Sequence, residues 1–331
     1  MEAVVWTKYG TPDVLELRDV EKPTPKDDEV LIKIHATTVT AGDCEMRRLD
    51  FPFYLGLPMR LWIGLLRPKA NTIMGTELAG EIEAVGKDIR HFKVGDQVYG
   101  AAGMSLGTNA QYICLPEQPG DMEGGVAIKP ANMSFEEAAT VPFGGRDALH
   151  FLRKGDIQSG QKILINGAGG SIGTFAVQLA KLMGAEVTAV DSGSKLETLL
   201  SIGADQVVDY TKEDFTTRDE VYDVIFDVVG TVKLSRAAGV IREDGTYLLA
   251  NPTRQLTQAL WAKLTSGRKI VMETSSPTIP DLDYLTDLIE DGKLQTVIDR
   301  RFPMEAIREA HEYVETGAKL GNLVITINHE G

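Results

Sequence analysis

The chain has 331 residues, 43% hydrophobic and 25% charged, a balance ordinary for a water-soluble globular protein and enough length for two cores. Its formal net charge of −14 works against nucleic acids and anionic membrane surfaces as partners. No apolar run reaches membrane-spanning length, "MEAVVWTKYG" lacks the features of a signal peptide, and two cysteines suit a reducing compartment, so a cytoplasmic protein is expected.

Residues 1–130 read as mostly β. "AVVWTKYG", "VLELRDVEKP", "EVLIKIHATTV", "ELAGEIEAVG" and "AQYICLPE" are short β-rich runs broken by Gly, Pro and Asp. Among them Arg47–Lys69 combines aromatic and leucine side chains with Arg60 and Arg67. It suits either a lid over an apolar substrate or a surface insertion with its own small cluster. "MSFEEAATVPFGGRDALHFL" brings in a helical pattern. Lys162–Asn166 then reads as a buried parallel strand, and a glycine-rich turn opens a helix that ends near Gly184.

A second strand, Glu186–Val190, ends at Asp191. Strands at Gln206–Val208, Val224–Val228 and Thr246–Leu249 alternate with helices at Lys195–Ser201 and Leu234–Ile241. Such alternation predicts a doubly wound parallel sheet. "RKIVMETSS", Arg268–Ser276, reads as its edge strand, with Ile270 and Met272 on one face and unpaired backbone groups that invite pairing. Two amphipathic helices, "DLDYLTDLIEDGKL" and "MEAIREAHEYVETG", and the strand "NLVITI" close the chain. They have no partner of their own and should fold back onto the first domain. The expected division is 1–130, 131–277 and a returning segment, 278–331.

The turn Gly167-Ala168-Gly169-Gly170-Ser171-Ile172-Gly173 has the chemistry of a dinucleotide site. Glycines permit a tight turn and close backbone approach to a pyrophosphate, and the helix start offers amide donors. The strict G-x-G-x-x-G pattern fails, because Ile172 stands where the third glycine belongs, but Gly170-x-x-Gly173 keeps its second half. Asp191 falls about 20 residues beyond the loop, where a ribose-binding carboxylate belongs.

"GTELAGEIEAVGKDIRHFKVGDQVYG", "GAGGSIGTFAVQLAKLMGAEV" and "GKLQTVIDRRFPMEAIREAHEYVETGAKLGNLVITI" resemble the medium-chain dehydrogenase/reductase superfamily. The nearest group is the zinc-free quinone oxidoreductases, with zeta-crystallin, and the resemblance spans nearly the whole chain. It implies an α/β protein: a GroES-like β-rich catalytic domain plus a Rossmann doubly wound parallel sheet, with the active-site cleft between them. It also implies a homodimer joined through the Rossmann edge strand.

The zinc-dependent branch of that superfamily supplies a contrast. Thr40 stands where that branch has a cysteine ligand and Thr76 where it has histidine. Cys44 is displaced, and "VPFGGRDAL" offers neither Cys nor His. A structural zinc would need four cysteines where only Cys114 exists. No metal is expected. Without a Lewis acid, charge developing on a substrate oxygen must meet hydrogen-bond donors or solvent. The resemblance then implies hydride transfer from NAD(P)H to a quinone, an enone or another activated carbonyl compound, with a small apolar substrate and no nucleic acid or membrane partner.

Candidate site residues follow from the same resemblance. Asp43 matches the acidic residue of the group's Asn-x-x-Asp segment, with Thr40 in place of the Asn; Asp43 either orients substrate or caps a helix starting near Cys44. Arg146 and Asp147 stand where relatives have neutral residues beside the nicotinamide, and suit either carboxamide binding or a structural ion pair. Tyr112 is either a proton donor or a packed strand residue, and His150 reads as structural. Asp191 suits the ribose hydroxyls of NAD(H) and repels a 2′-phosphate. Ser192, Lys195 and Tyr210, however, map onto the phosphate-binding positions of NADPH-using relatives, and NADP(H) is the expected cofactor. A short-chain dehydrogenase is excluded, since no tyrosine has a lysine four positions on. A non-catalytic NADPH-binding protein on the same fold is the alternative.

Overall fold

The computed structural model describes residues 1–70, 72–120, 123–251, 268–273 and 278–329. The chain divides into two compact units. The first comprises Met1–Phe143, Ser276–Gly292 and Ile298–Gly331, the second Gly144–Ser275 with Lys293–Val297.

The first unit opens with an antiparallel pair, β1 (Glu2–Trp6) and β2 (Leu15–Asp19). Strand β3 (Glu29–Thr38) pairs antiparallel with β4 (Glu77–Val85), which pairs with β5 (Gln97–Gly103). Strand β6 (Tyr112–Pro116) joins β3, and β7 (Glu123–Ile128) joins β5. Val30, Ile32 and Ile34 of β3 pack with Trp6, Leu78, Ile82 and Val98 in one core. Helix α1 (Ala41–Arg48) follows β3. Helix α2 (Phe53–Ile63) forms inside the lid candidate: Ile63 joins the core, whereas Leu61 is 68% and Leu66 87% exposed. Short α3 (Phe135–Ala138) leads to α4 (Val141–Gly155). The first unit continues past residue 130 to Phe143, whose amide donates to the buried Glu77 carboxylate at 2.6 Å.

The second unit carries β8 (Lys162–Asn166), α5 (Ser171–Leu182), β9 (Glu186–Asp191), α6 (Leu196–Ser201), β10 (Gln206–Asp209) and β11 (Tyr222–Asp227). Helix α7 (Leu234–Ala237), β12 (Ile241–Leu249) and β13 (Lys269–Val271) complete the described part. The sheet is parallel, in the order β10-β9-β8-β11-β12-β13. Strand order reverses between β8 and β11, the switch point at which such sheets bind ligands. One expectation is corrected here. The helix expected over Leu234–Ile241 stops at Ala237, and Ile241 already belongs to β12, opposite Tyr222. Val240 and Ile241 are β-branched, and the Val240 carbonyl accepts from Tyr222 N–H at 2.9 Å. Among the described residues strand β13 is the sheet edge; residues 274–276 of the expected strand lie outside them.

The tail returns to the first unit. After α8 (Ile279–Glu290) come β14 (Ile298–Pro303), α9 (Ile307–Glu315) and β15 (Asn322–Thr326). Strand β15 pairs antiparallel with β3 and parallel with β14. Lys293–Val297 stays with the second unit, where Gln178 and Gln295 exchange two hydrogen bonds at 2.9 and 3.0 Å. Among the described residues no helix is long and apolar enough to cross a membrane.

Candidate functional site

The glycine turn joins β8 to α5 at the switch point. Gly167 has φ +82°, and a side chain there would collide with Val229, so glycine is required twice over. Gly173, in the first turn of α5, packs onto the loop: a Cβ there would lie 2.5 Å from the Ala168 carbonyl oxygen and closer still to that of Gly167. Gly170 is the N-cap and offers no side-chain acceptor. The leading amides of α5 therefore lack an internal cap, and a Cβ on Gly170 would meet nothing nearer than 3.5 Å. That open, donor-rich position fits a pyrophosphate. Ala168 is buried, and Ser171 and Ile172 are half-buried.

Asp191, at the end of β9, is 5% exposed and fully engaged. One oxygen accepts from the Gly169 amide at 2.8 Å; the other accepts from the Ser192 amide at 2.8 Å and pairs with Lys195 Nζ at 3.1 Å. Lys195 is itself 7% exposed. The expected antagonists, a ribose carboxylate and a phosphate lysine, are partners. Tyr210 is 59% exposed, and its amide donates to the Asp191 carbonyl at 3.2 Å.

Beside the turn lies a polar group that sequence reading passed over. Asp227, at the end of β11, is fully buried. It accepts from Asn166 Nδ2 at 2.9 Å, the Gly230 amide at 2.9 Å and Tyr247 Oη at 2.8 Å. Burial, followed by the neighbouring Asp227 charge, raises the Tyr247 pKa well above its usual value. This network fixes Val228–Gly230, whose Val229 covers Gly167.

In the first unit, Thr40 and Asp43 form a capping box on α1. Thr40 N–H and Oγ1–H donate to Asp43 Oδ2 at 2.8 and 2.6 Å, and the Asp43 amide donates back to Thr40 Oγ1 at 3.2 Å. The helix thus starts at Ala41, not near Cys44, because Thr40 is its N-cap. Burial raises the Asp43 pKa despite these bonds. Cys44 Sγ lies 3.3 Å from Nδ1 of the buried His311. Tyr112 is half-buried on β6 under the Lys22 ammonium, 3.7 Å from its ring centre. Thr76 is half-buried just before β4, and its carbonyl accepts from Ala102 N–H. Among the described residues no group of three or more His, Cys, Asp or Glu side chains could hold a metal.

Arg146 and Asp147 belong to the second unit, on α4, the first buried and the second half-buried. As neighbours in a helix, their side chains diverge. His150, one turn on, pairs with Glu273 at 2.9 Å.

Known proteins share this arrangement. A family described as the alcohol dehydrogenase GroES-like domain matches residues 26–142, and one described as zinc-binding dehydrogenase matches 202–325. The chain is 35% identical to a 2-methylene-furan-3-one reductase of Solanum lycopersicum, across 98% of this chain and 79% of that one. It is 32% identical to a chloroplastic NADPH-dependent alkenal/one oxidoreductase of Arabidopsis thaliana, with coverage of 98% and 79%. The solved structure of a quinone oxidoreductase from Coxiella burnetii is similar at a TM-score of 0.88 and 28% identity, over 99% of both chains.

Proposed function

The chain belongs to the medium-chain dehydrogenase/reductase superfamily, in its zinc-free quinone oxidoreductase group, and on that premise we propose that it transfers hydride from NADP(H) to an enone or a quinone. The observation that carries the cofactor choice is the engagement of Asp191. Its charge is balanced by Lys195 and held by two amides, so it no longer repels a 2′-phosphate as a lone carboxylate does. The acceptor class follows from the relatives, which are named for an enone, alkenals and a quinone.

When bound, the nicotinamide supplies the hydride. The chain's own part is to bind and to orient. The start of α5 would hold the pyrophosphate, with Gly170 leaving it room. Asp227, through Asn166 and the Gly230 amide, fixes the segment over the glycine turn. Ser192 and Tyr210, just past the ends of β9 and β10, would hold the 2′-phosphate. Thr40 and Asp43 bond to each other through Thr40 Oγ1 and Asp43 Oδ2 and act as positioning residues for α1. Arg146 and Asp147 are assigned to the nicotinamide end. Two free thiols, Cys44 and Cys114, suit a reducing compartment, and the cytoplasm is the one proposed.

A turnover assay tests the reading: purified protein with NADPH or NADH, against a panel of enones, alkenals and quinones. Oxidation of NADPH by at least one acceptor is expected, faster than that of NADH. NADPH binding without turnover of any acceptor would favour the non-catalytic alternative.

A further inference from the structure

We propose that Lys212, not Lys195, supplies the cation that selects the 2′-phosphate of NADP(H), from the turn after β10. The inference rests on the cofactor reading above and concerns which charge does the selecting.

Lys195 is committed elsewhere. Its ammonium lies 3.1 Å from Asp191, with both side chains nearly closed to solvent at 9% and 8% exposure. Drawing it away would strand a buried carboxylate, a costly step. Lys212 is the opposite case. Its side chain is 79% exposed, and the carboxylate it pairs with at 3.1 Å, Asp209, is 10% exposed. Water screens an ammonium this exposed from its partner, and the Thr211 amide and hydroxyl still hold Asp209 when the lysine turns to a stronger anion.

Position makes Lys212 relevant. Asp209 and Asp191 are register partners at the ends of β10 and β9. The Thr211 amide and hydroxyl hold Asp209 Oδ1 at 3.0 and 2.6 Å, leaving Oδ2 to steer the lysine. A Cβ on Gly193 would lie 2.5 Å from Asp209 Oδ2 and 3.8 Å from Lys212 Nζ. The ammonium therefore hangs beside the Ser192–Gly193 backbone, immediately after Asp191. With Asp191, Asp209, Lys195 and Lys212 the local charge sums to zero. An entering phosphate dianion calls on the cation that is exposed and weakly held. A ribose 2′-hydroxyl makes no such demand, so the residue discriminates.

The test is titration of the full-length protein with NADPH and NADH, followed by nicotinamide fluorescence at two salt concentrations. The wild type should bind NADPH more tightly. Lys212→Ala should weaken NADPH binding about tenfold, with NADH unchanged, and Lys212→Arg should restore selectivity. Lys195→Ala should weaken both cofactors together, since it disturbs the Asp191 hold on Gly169. The NADPH preference should shrink as salt screens the exposed cation. An unchanged NADPH-to-NADH ratio in Lys212→Ala overturns the proposal, whichever way Lys195→Ala behaves. A wild type that binds both cofactors equally overturns the cofactor reading itself, and that result is read before any variant is made.

Discussion

The Gly169 amide donates to the Asp191 carboxylate at 2.8 Å, so the end of β9 holds the turn that precedes α5. Asp191→Ala would remove that acceptor, release the Ser192 amide and take from Lys195 its buried counter-charge. Hydrogen bonds to charged groups contribute about 1.5–3 kcal/mol. NADH and NADPH should therefore both bind about ten- to a hundredfold more weakly, with a lowered melting temperature. Asp191→Asn keeps an acceptor and should lose less. An Asp191→Ala protein that gains NADPH affinity would show that the carboxylate repels phosphate rather than builds the loop.

Two glycines in the turn should respond differently. The Gly173 position has no room for a Cβ, so Gly173→Ala should cost about 1–3 kcal/mol of stability. Gly170 has φ −88° and ψ −179°, ordinary extended backbone, and a Cβ there would make only an ordinary contact, 3.5 Å from the Gly167 carbonyl oxygen. Gly170→Val should fold and melt normally, yet bind cofactor about tenfold more weakly or worse, because its methyls stand before the donors of α5. Melting curves and titrations separate the two effects; normal cofactor binding by Gly170→Val would remove the turn from the site.

What the sequence revealed was local. Gly167–Gly173, Asp191 and the parallel strands are legible because pattern and chemistry lie in consecutive residues. Strands β5 and β7 escaped notice because "QVYGAAG" and "EGGVAI" are rich in glycine, a weak strand former. Strand β14, "IDRRFP", is half charged and has no buried residue. Asp227 and Lys212 were missed for another reason. A lone aspartate after an apolar strand says nothing until Asn166, Gly230 and Tyr247 converge on it. A surface lysine gains meaning only from what the pairing of β10 with β9 sets beside it.

Thr40 illustrates the metal question. Its hydroxyl both accepts from and donates to Asp43, a capping role that a thiolate ligand would not fill. We expect elemental analysis to find no stoichiometric zinc and chelators to leave turnover unchanged. One tightly bound zinc per chain would refute this.

Among the described residues strand β13 is the edge of the parallel sheet. Ile270 is buried against its own core and Met272 packs beside it, so pairing with a second copy would use backbone rather than side chains. A homodimer is expected by sedimentation equilibrium, and a monomer at all concentrations would exclude it.

His311 should make stability depend on pH. Burial, reinforced by the Arg47 charge, pushes its pKa down to about 3, against about 6.5 in an unfolded chain. Between those values the unfolded state binds a proton that the folded state refuses. The contribution is thus complete above about pH 6.5 and is lost as pH falls toward 3, by at most about 1.4 kcal/mol per pH unit. Asp43 acts in the opposite sense: its pKa is raised by burial, so its contribution is present at low pH and lost as pH rises. Arg47 of α1 is itself paired with Glu315, on the same helix as His311. His311→Gln removes the first of these two contributions and keeps a polar side chain in the site. Denaturant midpoints measured from pH 7 to 4 should fall less steeply in the variant than in the wild type. Parallel slopes would mean that His311 titrates in the folded protein much as it does in the unfolded one.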